Sequence, residues 1–235
     1  MNTDDEVVHA ADALTAWING VADETKKLSK DVASLVERNL AGKSKVGKTV
    51  LVGLDEVARA FLVANSFAVG AGTFFATESV EEGGRALEWW FRKNSGALER
   101  LVADRTPGSN RYYDYEKLPF FSTAATTGEQ TVWGPYIDYL GFEDYVLTFT
   151  APFSLHGHFA GVAGCDIRIK DLEPLIMPSL RAVSSDAALI NASNRVILGN
   201  SGKYLVGERI RPGAPNQRQT PLDVPHLGLS LVYTK

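Results

Sequence analysis

The chain has 235 residues, 45% hydrophobic and 22% charged, with 24 Lys and Arg against 28 Asp and Glu and a formal net charge of -4. This is the composition of a globular protein, and the acidic balance excludes a surface built to coat nucleic acid, which needs a basic face to displace counterions. The single cysteine, Cys165, excludes an internal disulfide framework and a Cys-based zinc site, and His9, His156, His158 and His226 leave little for a multi-histidine site.

Residues Met1 to Glu6 are acidic where a secretory leader is basic, and no apolar stretch follows them. The longest uncharged run, Ala60 to Thr77, is interrupted by Asn65, Ser66, Gly70, Gly72 and Thr73, which makes it a poor membrane span. The expectation is a cytoplasmic protein with no membrane segment.

Val7, Ala11, Leu14, Ile18, Val21, Thr25, Leu28, Val32, Leu35 and Asn39 alternate steps of four and three, a heptad seam flanked by Asp23, Glu24, Lys26, Lys27 and Lys30. Thr3 or Asp4 caps its start and Gly42 ends it. A helix of about 37 residues is about 55 Å long, longer than a small domain is wide. Part of the seam is therefore expected to pack on another helix, in this chain or in a second subunit, and a homodimer through this helix is anticipated. A short helix follows from Asp55 to Ala64. Strands are expected over Phe67–Phe75, Ala86–Lys93, Thr131–Tyr136, Tyr145–Pro152 and His158–Ile169, the last two joined by a tight turn at Leu155-His-Gly-His158. The connection from Asn94 to Gln130 is rich in Gly, Pro, Tyr and Asp, and loops of that length bind something or carry small helices. A helix from Asp171 to Val183, a hairpin over 187–191 and 195–198, a Pro/Gln-rich loop over 211–225 and a last strand over 227–233 complete the chain. The order gives an α+β fold: a long N-terminal helix (1–45), a curved antiparallel sheet with a loop and helix insertion (46–172), and a smaller C-terminal α/β unit (173–235).

Gly42-Lys-Ser-Lys-Val-Gly47-Lys48-Thr49 matches the phosphate-binding loop of nucleotide enzymes letter for letter. That loop works only between a buried strand and the helix after it, and here a helical heptad containing Glu37 and Arg38 precedes it. A basic helix terminus is the better reading, with a nucleotide enzyme as the alternative. His156-Gly-His158 lacks the further ligands a metal requires. Cys165 sits in an apolar strand, where a thiol is inert. No catalytic arrangement and no cofactor emerges, so an enzyme is not expected. A third alternative is an interaction module acting through the heptad helix.

The informative stretch runs from Arg111-Tyr-Tyr113-Asp-Tyr115 through Pro119-Phe120-Phe121, Trp133-Gly-Pro-Tyr136-Ile-Asp138, Tyr145-Val-Leu-Thr148-Phe-Thr-Ala-Pro152 and Gly161-Val-Ala-Gly164-Cys-Asp166. Twenty of the 23 aromatic side chains lie between Phe61 and Phe159. This succession resembles the Cache (PDC, PAS-like) small-molecule sensor domains of bacterial chemoreceptors and kinases. With the long first helix and the 187–198 hairpin, it resembles the double-Cache type over residues 5–205. The resemblance implies a pocket on the concave face of the sheet beneath the loop insertion, with Tyr136 and Asp166 in the positions that hold a ligand's amino group. Phe120 and Phe121 replace the Trp and Tyr of the family's turn. Leu118 replaces the arginine that amino-acid-binding members carry, which argues against an α-carboxylate.

A carboxylate among aromatic faces attracts an ammonium through charge and cation–π contacts. The expected ligand is thus a small amine or quaternary ammonium, favoured over an amino acid or a carboxylate. Trp90, Arg92, Tyr113, Phe120, Phe121, Trp133, Tyr136, Asp138 and Asp166 are the candidate ligand-binding residues. The alternatives are that Tyr136 and Trp133 are core aromatics, that Asp166 caps the following helix, and that Asp138 forms a turn. Which face of the Trp89–Arg92 strand points inward is open, and Arg92 would serve an anion if its face did.

Overall fold

In a computed structural model of the chain, the structure describes residues 3–93, 95–104, 109, 112–139, 144–211 and 213–235. The seam produces one helix, α1 (Thr3–Leu40), followed by α2 (Leu54–Ala64). The sheet strands β1 (Gly70–Phe75), β2 (Leu87–Arg92) and β3 (Leu98–Arg100) come next, then α3 (Pro119–Thr127), β4 (Thr131–Asp138), β5 (Asp144–Leu155) and β6 (His158–Arg168). Helix α4 (Ile169–Arg181) leads to β7 (Ala187–Ile190), β8 (Val196–Gly199), β9 (Gln217–Pro221) and β10 (Ser230–Thr234). The first six strands form an antiparallel sheet in the order β3-β2-β1-β6-β5-β4, and the other four a second sheet in the order β8-β7-β10-β9. The α+β architecture expected from the sequence is the one observed.

The seam packs within this chain, on other helices as anticipated and also on the sheet. Val7, Ala11, Leu14, Ile18, Val21, Thr25, Leu28 and Val32 are all buried within this chain, mainly on β5, β6, α2 and α4. Two polar groups fix the helix on the sheet: Ser29 donates to the Pro152 carbonyl at 2.8 Å, and Thr25 lies 3.7 Å from the Cys165 sulfur. Further along, Asn19 donates to the Asp223 carbonyl and Glu6 accepts from the Ser184 amide, so the first half is seated on the C-terminal region. A helix longer than one sheet is wide is accommodated because two sheets lie along it. No second subunit is needed to cover the seam.

The connection over 94–130 contains the edge strand β3, a short 3₁₀ turn at Tyr115–Lys117 and α3. Tyr115 is fully buried and donates to the Phe75 carbonyl at 2.5 Å, tying this excursion to β1. Arg111 of the sequence motifs lies outside the described residues. The 211–225 segment, expected to be loop, contains β9, an edge strand on β10. Its Gln-Arg-Gln-Thr-Pro sequence is mostly solvent-facing and carries no apolar alternation to reveal it.

Candidate functional site

The front face of the six-stranded sheet, on the side of α3, holds a cavity lined by Phe74, Trp89, Phe91, Leu101, Tyr113, Phe120, Tyr136, Asp138, Thr148 and Asp166. Its position follows from the register. Asp166 stands opposite Gly70 on one side and Thr148 on the other, and residues opposite each other in a ladder share a face. Gly70 leaves the space the site needs: a Cβ there would sit 2.8 Å from the Trp89 indole nitrogen and 3.2 Å from Asp166 Oδ2. The absent side chain lets Trp89 reach across β1 and donate its indole N–H to the Asp166 carboxylate.

Asp166 is only 6% exposed. Thr148 Oγ1 donates to it at 2.6 Å, and the Tyr136 hydroxyl lies 2.8 Å from the same Oγ1. Because a threonine hydroxyl has one proton and gives it to Asp166, Tyr136 must be the donor to Thr148. The result is a relay, Tyr136 to Thr148 to Asp166. Burial pushes the Asp166 carboxyl up to about 7, with the Thr148 and Trp89 hydrogen bonds opposing and the Asp138 charge adding to the rise. Burial, and then the Asp166 charge, hold the Tyr113 and Tyr136 hydroxyls well above their ordinary range, so both stay protonated.

Of the expected site residues, Tyr113, Phe120, Tyr136, Asp138 and Asp166 are brought together at this cavity. Trp90 and Arg92 are not. Alternation puts Trp89 and Phe91 on the front face, while the Arg92 guanidinium reaches the Leu62 carbonyl of α2 at 2.6 Å on the back. Trp133 stands behind the site, its ring stacked on Tyr136 with centroids 3.9 Å apart and planes 24° apart. Three residues apart on a regular strand, they would face opposite ways. The register shift between them, at Gly134-Pro135, turns both rings to one side. Phe121 faces the core, with its ring on Tyr115 and Phe159, because successive helical residues point about 100° apart. Phe74, Trp89, Phe91, Leu101 and Thr148 are the lining residues that sequence reasoning missed. The Gly70 opposite Asp166 was the available signal for Trp89.

The remaining motifs are structural. Residues 42–53 are bends and turns, with Val46 bridged to Val80 and no strand before Gly42; α2 starts only at Leu54, so the segment lacks the strand–loop–helix frame of a phosphate loop. His156 and Gly157, both at positive φ, form the β5–β6 turn. Burial pushes the Cys165 thiol up to about 12. Among the described residues there is no cluster of His, Cys, Asp and Glu able to hold a metal ion.

A sheet with a helix-bearing excursion above its front face, closing an aromatic cavity around one buried acid, is the arrangement of a ligand-sensing domain. The family model described as "Methyl-accepting chemotaxis protein-like, first PDC sensor domain" matches residues 54–174, just over half of the chain. The chain belongs to this family; it is a ligand-binding sensor domain and not an enzyme. No curated protein matches it by sequence. Among solved structures, it is similar to the extracellular domain of the candidate histidine kinase soHK1S-Z6, with 15% identity over 98% of this chain and 91% of that one, at a TM-score of 0.67. It is similar to the sensory domain of the Campylobacter jejuni chemoreceptor Tlp3 with isoleucine bound (14% identity, 98% and 89% covered, TM-score 0.62). The ligand-binding domain of the Pseudomonas aeruginosa amino acid chemoreceptor PctC in complex with GABA is a third (16% identity, 98% and 96% covered, TM-score 0.56).

These findings overturn the cytoplasmic expectation. It rested on an acidic first segment, whereas the family and the extracellular soHK1S-Z6 domain put this kind of sensor outside the cytoplasm. Among the described residues no helix is long and apolar enough to cross a membrane.

Proposed function

We propose that the front cavity senses a small amine or quaternary ammonium from outside the cytoplasm. The observation that carries this reading is Asp166, a buried carboxylate among six aromatic rings with no cationic side chain among the described lining residues. An ammonium there gains a charge-assisted bond and several π faces at once. An α-amino acid would also need a partner for its carboxylate. Leu118 stands where the amino-acid-binding members have arginine, and Arg92 is on the other side of the sheet. The cavity measures about 20 Å3 as it stands, roughly one water's worth, so the surrounding rings must move apart to admit an ammonium.

Titration calorimetry with methylammonium, tetramethylammonium, glycine and acetate tests this. The two ammonium ions bind, and glycine and acetate do not. Asp166→Asn weakens methylammonium binding about 100-fold, the value of a charged hydrogen bond of about 3 kcal/mol. Glycine binding more tightly than methylammonium would overturn the assignment, as would retained ammonium binding in Asp166→Asn.

The four-stranded sheet beyond residue 173 is, in this reading, the second unit of a double-Cache module. Homodimerisation through α1 is part of the same proposal, with its outer face (Asp23, Lys26, Lys30) as the contact, since the seam is already covered. Light scattering on the domain gives a dimer mass if so, and a concentration-independent monomer if not.

A further inference from the structure

The back of the six-stranded sheet carries a second cavity, of about 360 Å3, where the start of β1, the end of β2 and the first turn of α4 meet α1. Its character is opposite to that of the front cavity. Arg92, Arg168 and Lys170 line it, with Trp17 and Phe67 as an aromatic wall and Asp171 as the one acid among the described lining residues. The two rings lie 6.1 Å apart at 70°, leaving an edge and a face for a flat body to pack on.

Charge pairing decides what this cavity can hold. Arg168 is held by Asp171 at 2.5 Å, and Lys170 by Asp144 at 2.5 Å. The half-buried Arg92 gives one N–H to the Leu62 carbonyl and has no carboxylate partner among the described residues. Guanidinium offers five donors in a planar fork that matches a carboxylate, so most of its capacity is uncommitted. Among the described residues the cavity therefore has one surplus positive charge. A dianion would exceed the surplus charge and meet Asp171; a monoanion balances it.

We propose that this cavity binds a small organic monocarboxylate with a flat apolar body, its carboxylate on Arg92 and its body against Trp17 and Phe67. It is distinct from the front cavity and does not depend on which ligand binds there.

The test is a titration of the domain with benzoate, followed by the indole N–H resonances in 1H–15N spectra. Trp17→Phe assigns the Trp17 signal. Benzoate shifts the Trp17 indole saturably while the Trp89 indole, in the front cavity, stays still. Arg92→Gln weakens that binding at least tenfold. Leu175→Glu, at an exposed position on the cavity's edge, places a repelling carboxylate there without touching the core and weakens it similarly. Asp166→Asn leaves benzoate affinity within twofold. The absence of a saturable shift, a shift at Trp89 instead of Trp17, or benzoate affinity unchanged in both Arg92→Gln and Leu175→Glu would overturn the site. Inorganic phosphate binding more tightly than benzoate would overturn the monocarboxylate assignment.

Discussion

The front and back of β6 start from the same backbone and come to opposite ends. On the back, Cys165 lies under α1, touched by Thr25, with burial raising its thiol to about 12. On the front, its neighbour Asp166 is also buried, and burial raises its carboxyl to about 7. The cause is the same in both, a charged form deprived of water. The consequences differ because a thiol raised from 9 remains neutral in every working condition, whereas a carboxyl near 7 is brought to the edge of ionisation. The rest follows from what opposes each face. Over Cys165 a continuous helix closes the back, while over Asp166 the front is faced by aromatic rings around a small void. Burial alone does not make a site; burial of an ionisable group beside space for a partner does.

The largest effect that would break this comparison is in the pH dependence of binding. On the proposed reading a permanently charged ammonium needs the Asp166 carboxylate, which forms only as pH rises through about 7. Tetramethylammonium affinity is therefore level above about pH 8 and falls toward tenfold per pH unit below 7, a loss approaching 100-fold by pH 5. Calorimetry across that range checks it, and a flat profile removes Asp166 from the site. The same raised carboxyl opposes folding. Held above its unfolded value of 3.8, it keeps its proton more tightly when folded, so its contribution is favourable at low pH. That contribution is lost as pH rises from about 4 to 7, at about 1.4 kcal/mol for each step of one in pH. In denaturant melts without ligand, stability contributed by this group declines over that window, and Asp166→Asn flattens the decline.

The next effect sharpens the front face alone. Gly70→Ala places a methyl group 2.8 Å from the Trp89 indole nitrogen and displaces it from Asp166. One hydrogen bond of about 1.4 kcal/mol corresponds to about a tenfold loss of ammonium affinity. Unchanged calorimetric affinity in a folded Gly70→Ala domain would show that Trp89 does not help to hold the carboxylate.

How much of this was legible follows the periodicities. The heptad seam specified α1 to within a few residues because a 3.6-residue pattern sustained over ten turns has no competing reading. What covers the seam is a tertiary fact that the pattern does not contain. Alternation on β2 separated Trp89 and Phe91 from Trp90 and Arg92, but four bulky residues in a row do not say which pair faces in. The stacking of Trp133 on Tyr136 was hidden for another reason: it exists only because β4 is irregular at Gly134-Pro135. Asp166 and Tyr136 were singled out through order of motifs, and the structure joins them through Thr148, a residue whose motif gave it no separate role.

The smallest expected effect asks whether the two faces are independent. Cys165→Ala removes one buried sulfur from beneath α1 and leaves a void that the helix cannot fully close, costing about 1 kcal/mol. Its backbone neighbour is Asp166, so any movement of β6 would reach the carboxylate directly. Yet the strand is paired on both sides, with β1 and β5, and two flanking ladders resist a shift driven by one missing atom. Ammonium affinity in Cys165→Ala therefore stays within twofold while the thermal midpoint falls. A tenfold loss of affinity with only that small loss of stability would mean that the packing under α1 sets the position of Asp166, and that the helix reads the cavity through the sheet.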